Sequence, residues 1–271
     1  MPPLIITATP NISWLHPQVD YPRTPQAIAE EAALCQQNGA TILHTHAEGR
    51  WADTIQAVRA KSDIIVQCGM SSLPIPERME VYKNKADIIS VILNHHDEAF
   101  AQTECNVLHL REELVVYCRL CRKYGVIPEW EVWHAGSVWN LNYLIGKKML
   151  KPPYVATLFF GWPGGTWSPP TVEEYMYRRR LMPEGCVCNV SVMGATTRPP
   201  WAPTTRPPWA RGSATFWPLL SSTATTCASG QRIIPTTTTA SWSGRTSWSR
   251  KPPRWRAPSA ARWRRFSRRG R

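Results

Sequence analysis

The residues best suited to chemistry lie in Ile42-Leu43-His44-Thr45-His46. On a strand, positions i and i+2 point to the same side, so both imidazoles leave one face. Two neutral imidazoles at that spacing can chelate a divalent metal, and nitrogen donors favour zinc. The competing reading is that the two rings only hydrogen-bond to each other. Pro128-Glu129-Trp130-Glu131-Val132 sets two carboxylates, Glu129 and Glu131, on one face of another strand. An apolar interior does not hold bare carboxylates cheaply. The pair therefore implies a cation, a metal-bound substrate or a water network, or else salt bridges to Lys or Arg in a neighbouring layer. His95-His96-Asp97-Glu98 follows a third strand, as a catalytic loop or a solvated polar one. Trp162-Pro163-Gly164-Gly165 follows a fourth, where Gly164 and Gly165 let a ligand reach the backbone or simply make a tight turn. Cys118-x-x-Cys121 has helical surroundings and no second pair nearby, so it reads as helix packing.

These residues need elements to carry them, and the first 194 residues alternate strand-like and helix-like segments. Strands are predicted at Leu4–Thr9, Thr41–His46, Asp63–Cys68, Ile88–Leu93, Ile127–Trp133, Val155–Phe160 and Val187–Val192. Thr24 caps a helix with Pro25 in its first turn, and Asn38-Gly39 ends it. Further helices are predicted at Trp51–Lys61, Val107–Tyr124, Ser137–Lys147 and Val172–Leu181. Buried β-branched strands alternating with amphipathic helices predict an α/β fold with a parallel sheet. Seven βα units are one short of a TIM-type (β/α)8 barrel, so the barrel is read as incomplete.

The remainder breaks the pattern. Residues 1–194 carry 17 Lys and Arg against all 19 acids, a net −2, whereas residues 195–271 carry +15 without one Asp or Glu. That tail holds a tandem repeat, Thr196–Pro203 then Thr204–Arg211, and seven of the 14 Trp. It reads as an Arg/Trp-rich nucleic-acid-binding arm, or as an out-of-frame translation of a GC-rich gene. No apolar run is long enough to span a membrane, and no secretory signal is visible. Eight cysteines without framework spacing fit a reduced, cytoplasmic protein.

Several segments, taken in order, resemble the β-keto acid cleavage enzymes typified by 3-keto-5-aminohexanoate cleavage enzyme. They are Pro3-Leu4-Ile5-Ile6-Thr7-Ala8, Thr24-Pro25-Gln26-Ala27-Ile28-Ala29-Glu30-Glu31-Ala32, Gly39-Ala40-Thr41-Ile42-Leu43-His44-Thr45-His46, Pro128-Glu129-Trp130-Glu131 and Gly161-Trp162-Pro163-Gly164-Gly165. The resemblance implies a zinc-dependent β/α barrel of amino acid catabolism. Its reaction condenses a β-keto acid with acetyl-CoA, giving acetoacetate and a new acyl-CoA. It implies that His44 and His46 are two of three protein zinc ligands, with the metal as Lewis acid. It places Glu131 and Ser90 in the pocket, and implies a homo-oligomer and no membrane partner.

Three departures bear on activity. The family's Ser-Thr-Gly-Gly after the third strand reads Gly69-Met70-Ser71-Ser72 here. Trp14 stands where the family carries an acidic pocket residue, which points to an apolar keto acid rather than an amino-bearing one. The family's last-strand R-x-G-x-E-D, source of the third zinc ligand, is absent. Yet one permitted codon choice for Thr226-Cys227-Ala228-Ser229-Gly230-Gln231-Arg232-Ile233-Ile234-Pro235, read from its third base, gives Val-Arg-Val-Gly-Thr-Glu-Asp-Tyr-Pro. This predicts a frameshift near Met193–Thr196 and little activity in the chain as written. The alternative is a non-enzymatic protein that binds nucleic acid through its tail.

Overall fold

The computed structural model of the chain describes residues 5–11, 21–97, 106–161 and 168–192. In chain order the elements are β1 (Thr7–Ala8), α1 (Pro25–Gln37), β2 (Ile42–Thr45), α2 (Trp51–Lys61), β3 (Ile65–Cys68), α3 (Ile75–Lys83) and β4 (Ile88–Ile92). They continue with β5 (His95–Asp97), β6 (Asn106–Leu108), α4 (Arg111–Tyr124), β7 (Ile127–Val132), α5 (Ser137–Gly146), β8 (Tyr154–Phe160), α6 (Val172–Leu181) and β9 (Cys186–Val192). Seven strands form one sheet in the order β1-β2-β3-β4-β7-β8-β9. Each βα step adds the next strand beside the last, the pattern of an incomplete TIM-type barrel. All seven predicted strands are present, the first five trimmed at one or both ends and β8 and β9 each beginning one residue earlier. None of the helices is long and apolar enough to cross a membrane among the described residues.

Local chemistry explains the helix ends. The Thr24 hydroxyl accepts from the Ala27 amide at 3.1 Å, and Thr171 does the same for Glu174 at 3.2 Å. In α6, Glu173 and Glu174 occupy the first turn and Arg178, Arg179 and Arg180 the last, matching the helix dipole at both ends. Helix α3 is not legible in the hydrophobic pattern; it opens at Pro74 and interleaves apolar with charged residues, burying Arg78, Val81 and Tyr82.

Two expectations are corrected. Residues 107 and 108 are not the start of the α4 helix but part of a strand, β6, paired antiparallel with β5. The loop expected at His95–Asp97 is that partner strand. The His109 amide donates to the Asn94 carbonyl at 2.7 Å, and the Asn94 side chain to the His109 carbonyl at 3.0 Å. This clasp takes the backbone groups a helix would need, so α4 starts at Arg111.

The described chain forms two compact units, one from residues 3–91 and 117–128 and one from residues 92–116 and 129–192. In the first, Leu43, Val66 and Ile89 pack against the helices with Ile28, Ile55, Val58 and Tyr82. Their strand neighbours Ile42, Ile65 and Ile88 turn the other way and meet Ile5 in a separate apolar layer. The Cys118–Cys121 pair is buried in α4 and both thiols are free, with the Cys121 thiol beside the Tyr82 hydroxyl at 3.9 Å. In the second unit, Arg178 is fully buried beneath the ends of β7 and β8. It donates to the carbonyls of Val132 (3.0 Å), Trp133 (3.1 Å) and Phe159 (2.6 Å), stands 3.7 Å over the Phe160 ring and pairs with Glu174 at 3.2 Å.

Removing that guanidinium leaves buried carbonyls without their donor. Arg178→Met is expected to cost at least about 3 kcal/mol of stability, read from urea unfolding.

Candidate functional site

In the first unit a polar row sits one step along the strands from the isoleucine layer. Period-two alternation puts His44 on the face of Ile42, Gln67 on that of Ile65 and Ser90 on that of Ile88. Cα register pairs His44 with Gln67. The Gln67 side-chain amide donates to the buried Ser90 hydroxyl at 3.4 Å. His46 lies just past the end of β2. Its Nε2 stands 3.1 Å from Nε2 of His44, the rings meeting edge to face at 67°.

Asn11 and Gly69 hold this pair, and Arg78 braces the loop beside it. The Asn11 side chain grips the backbone of His46, donating to its carbonyl at 2.5 Å and accepting from its amide at 3.2 Å. The same Asn11 oxygen accepts from the Thr45 hydroxyl at 3.3 Å. Gly69 donates its amide to the Thr45 carbonyl at 2.9 Å. A β-carbon on Gly69 would stand 2.5 Å from His44 Nε2 and 2.7 Å from His46 Nε2, so only glycine fits beside the rings. Arg78, fully buried, donates to the carbonyls of Leu73 (2.5 Å), Ser90 (3.0 Å) and Ser71. It thereby ties the loop that follows Gly69 to the strand that carries Ser90. The glycine had a signal, an unexplained Gly straight after a strand; Asn11 and Arg78 had none.

Burial pushes the His44 imidazole down to about 4 and that of His46 well below its ordinary range. Both rings are therefore neutral near pH 7, the form that donates a lone pair to a metal. Two nitrogens about 2.0–2.1 Å from a tetrahedral zinc lie roughly 3.3 Å apart. The 3.1 Å separation fits two vertices of such a site, and equally a hydrogen bond between a donor and an acceptor tautomer. Among the described residues no group of three or more His, Cys, Asp or Glu completes a ligand set.

The second unit holds Glu129 and Glu131, both buried. Glu131 accepts from the Trp133 indole N–H at 3.0 Å. That indole is sandwiched, with the His96 ring stacked at 3.6 Å on one contact and Phe159 at 3.9 Å on another. Burial drives His96 down to about 3, so it packs as a neutral ring. Of the residues predicted from sequence, His44, His46 and Ser90 thus share one unit while Glu131 belongs to the other. Trp14, Gly164, Gly165 and residues 195–271 lie outside the described residues.

Two outcomes follow from this geometry. Gly69→Ala is expected to cost about 1–3 kcal/mol, because the imidazoles must move to admit the methyl group. The pH response has a definite sign. The unfolded chain protonates His44 near 6.5, whereas the folded chain resists down to about 4. Between those values the unfolded state holds more protons, so stability falls as pH drops through that window. Urea midpoints measured from pH 7 to pH 4 should fall less steeply for His44→Asn than for the unmodified chain.

Comparison with known proteins agrees with the arrangement of strands. Two structures of ObcA, one apo and one a binary complex with oxaloacetate, each match with a TM-score of 0.50 at 12% identity. They cover 74% and 79% of this chain, which in turn spans 62% and 65% of the ObcA chains. A dipeptide epimerase from Enterococcus faecalis V583 matches at a TM-score of 0.44 and 12% identity, over 70% of this chain and 48% of its own. At such identity the ObcA likeness speaks of fold alone. The sequence itself speaks of family: residues 3–204 match the model of the beta-keto acid cleavage enzymes, and the chain belongs to that family.

Proposed function

We propose that this chain is the framework of a zinc-dependent enzyme that condenses a β-keto acid with acetyl-CoA, yielding acetoacetate and a new acyl-CoA. The observation that carries the reading is the pair of neutral imidazoles whose Nε2 atoms converge at 3.1 Å beside a glycine that leaves them room. In this reading His44 and His46 are two protein ligands of the metal. A bound divalent metal would polarise the substrate's keto group as a Lewis acid. Asn11 and Gly69 hold the backbone at Thr45 and His46 in place before any metal arrives, which lowers the cost of binding it. The Ser90 hydroxyl, fixed by Gln67, hydrogen-bonds substrate, and Glu131, oriented by the Trp133 N–H, serves the proton transfers of the reaction. Gly164 and Gly165 are assigned to close approach of the acyl-CoA, and Trp14 to an apolar side chain on the keto acid.

The same reading assigns the third zinc ligand to the R-x-G-x-E-D sequence recovered by a frame change near Met193–Thr196. Residues 195–271 as written contain no Asp or Glu to replace it. The chain as written is therefore expected to hold metal weakly and to turn over little substrate.

The test compares the chain as written with its frame-restored form. The restored form should retain one zinc per chain through gel filtration and release acetoacetate from an apolar β-keto acid and acetyl-CoA. His44→Ala with His46→Ala should abolish both. Gly69→Ala should weaken zinc binding by on the order of 10–100-fold, because the added methyl group pushes both ligand rings out of position. A zinc-loaded restored form that makes no acetoacetate from any keto acid in a panel would sink the reading.

A further inference from the structure

A second cluster of metal-ligating side chains lies away from the groups assigned above. Cys186 and Cys188 stand two positions apart on β9, so their side chains leave the same face. Register pairs Cys188 with Ala156, whereas Asn189 pairs with Thr157, and Thr157 with Glu131. The two thiols therefore occupy the face of β9 opposite to the Glu131–Thr157–Asn189 row. Both are buried, and their sulfurs lie 3.7 Å apart. Arg179, from the last turn of α6, is buried too and acts electrostatically on both cysteines. Its Nη2 has no hydrogen-bond partner among the described residues.

Charge and coordination number narrow what this cluster can hold. A buried guanidinium is costly unless a negative charge accompanies it. Two thiolates alone would supply two such charges, but two thiolates around a monovalent cation supply one, which balances Arg179. Zinc structural sites need four protein ligands, and no group of three or more His, Cys, Asp or Glu exists among the described residues. Thiolates select soft ions, Cu(I) foremost. We propose that Cys186 and Cys188 bind a soft monovalent cation of the Cu(I) class, two-coordinate through both sulfurs, with Arg179 as its counter-charge.

Strand geometry favours this over a disulfide. Two residues of strand span about 6.6 Å, near the upper end of the roughly 4.4–6.8 Å between disulfide-linked α-carbons. Closing the sulfurs from 3.7 Å to bonding distance would shorten β9 against its ladder with β8, which runs from Tyr154–Cys186 to Phe160–Val192. A bridging ion asks for sulfurs farther apart than a disulfide does, and side-chain rotation supplies that. Binding releases the two thiol protons to solvent and transfers no electron. The inference stands independently of the proposed zinc chemistry.

The experiment titrates the full, reduced chain anaerobically with Cu(I) held by a chromophoric chelator. One Cu(I) per chain should leave the chelator, with a thiolate-to-metal charge-transfer band appearing in the ultraviolet. Uptake should vanish in Cys186→Ser and in Cys188→Ser and persist when Cys118 and Cys121 are replaced by Ala. Arg179→Gln, which leaves the strand untouched, should bind about tenfold more weakly through loss of the buried counter-charge. It decides the matter if a serine variant fails to fold. Three results would overturn the proposal: no uptake by the unmodified chain, uptake that follows Cys118 and Cys121 or His44 and His46, and Arg179→Gln binding as tightly as the parent. Ready closure of a Cys186–Cys188 disulfide on mild oxidation, read by peptide mass spectrometry, would overturn the geometric argument.

Discussion

Parallel strands end with carbonyls pointing out of the ladder, and buried carbonyls must find donors. In each compact unit one fully buried arginine meets that demand where the chemistry-bearing residues emerge. Arg78 reaches from α3 to the carbonyls of Ser71, Leu73 and Ser90. Arg178 reaches from α6 to those of Val132, Trp133 and Phe159. A planar guanidinium with five donors suits this task as lysine could not. The cost is desolvation, visible in Arg178, whose burial lowers its affinity for a proton to a pKa of about 10. Part of that cost is offset by the Glu174 carboxylate and the ring of Phe160. These two braces tie the segments after β3 and β7 to neighbouring strands.

On that frame the period-two alternation of the strands sorts residues by chemistry. Ile42, Ile65 and Ile88 fill one layer, and His44 and Ser90 rise from the same face one step later, beside Gln67. Burial then sets the protonation of what it encloses. The same desolvation that pushes His44 down to about 4 keeps it a neutral nitrogen donor near pH 7. In the other unit, the neutral His96 ring, the Trp133 indole and Phe159 form one stack that aims an N–H at Glu131. The two faces of β9 follow the same rule, Asn189 turning one way and the Cys186–Cys188 dithiol the other.

Family membership over residues 3–204 accounts for the order of these elements, while the composition change near residue 195 raises a separate question. Residues 195–271 contain a single Lys and no Asp or Glu. The chemical proposals divide accordingly: ring placement and neutrality belong to the chain as written, and the complete ligand set to its restored frame.

The sequence by itself determined the elements whose signals are local. Thr24 and Pro25 set the start of α1, runs of Ile and Val set the strands, and the spacing of His44 and His46 set their common face. It determined the family too, because several motifs recur in order. Tertiary structure alone decided what depends on partners distant in the chain. The β5–β6 pairing overrode a helical pattern at 107–108 because the clasp joins His109 to Asn94, fifteen residues away. Helix α3 escaped notice because its buried face is built around Arg78, a residue that counts as polar until its carbonyl partners are known. Asn11 was silent for the same reason, since it grips a backbone thirty-five residues away, and what Gly69 leaves room for is visible only in the fold. Periodicity records which way a side chain points, and only the folded chain supplies what it meets.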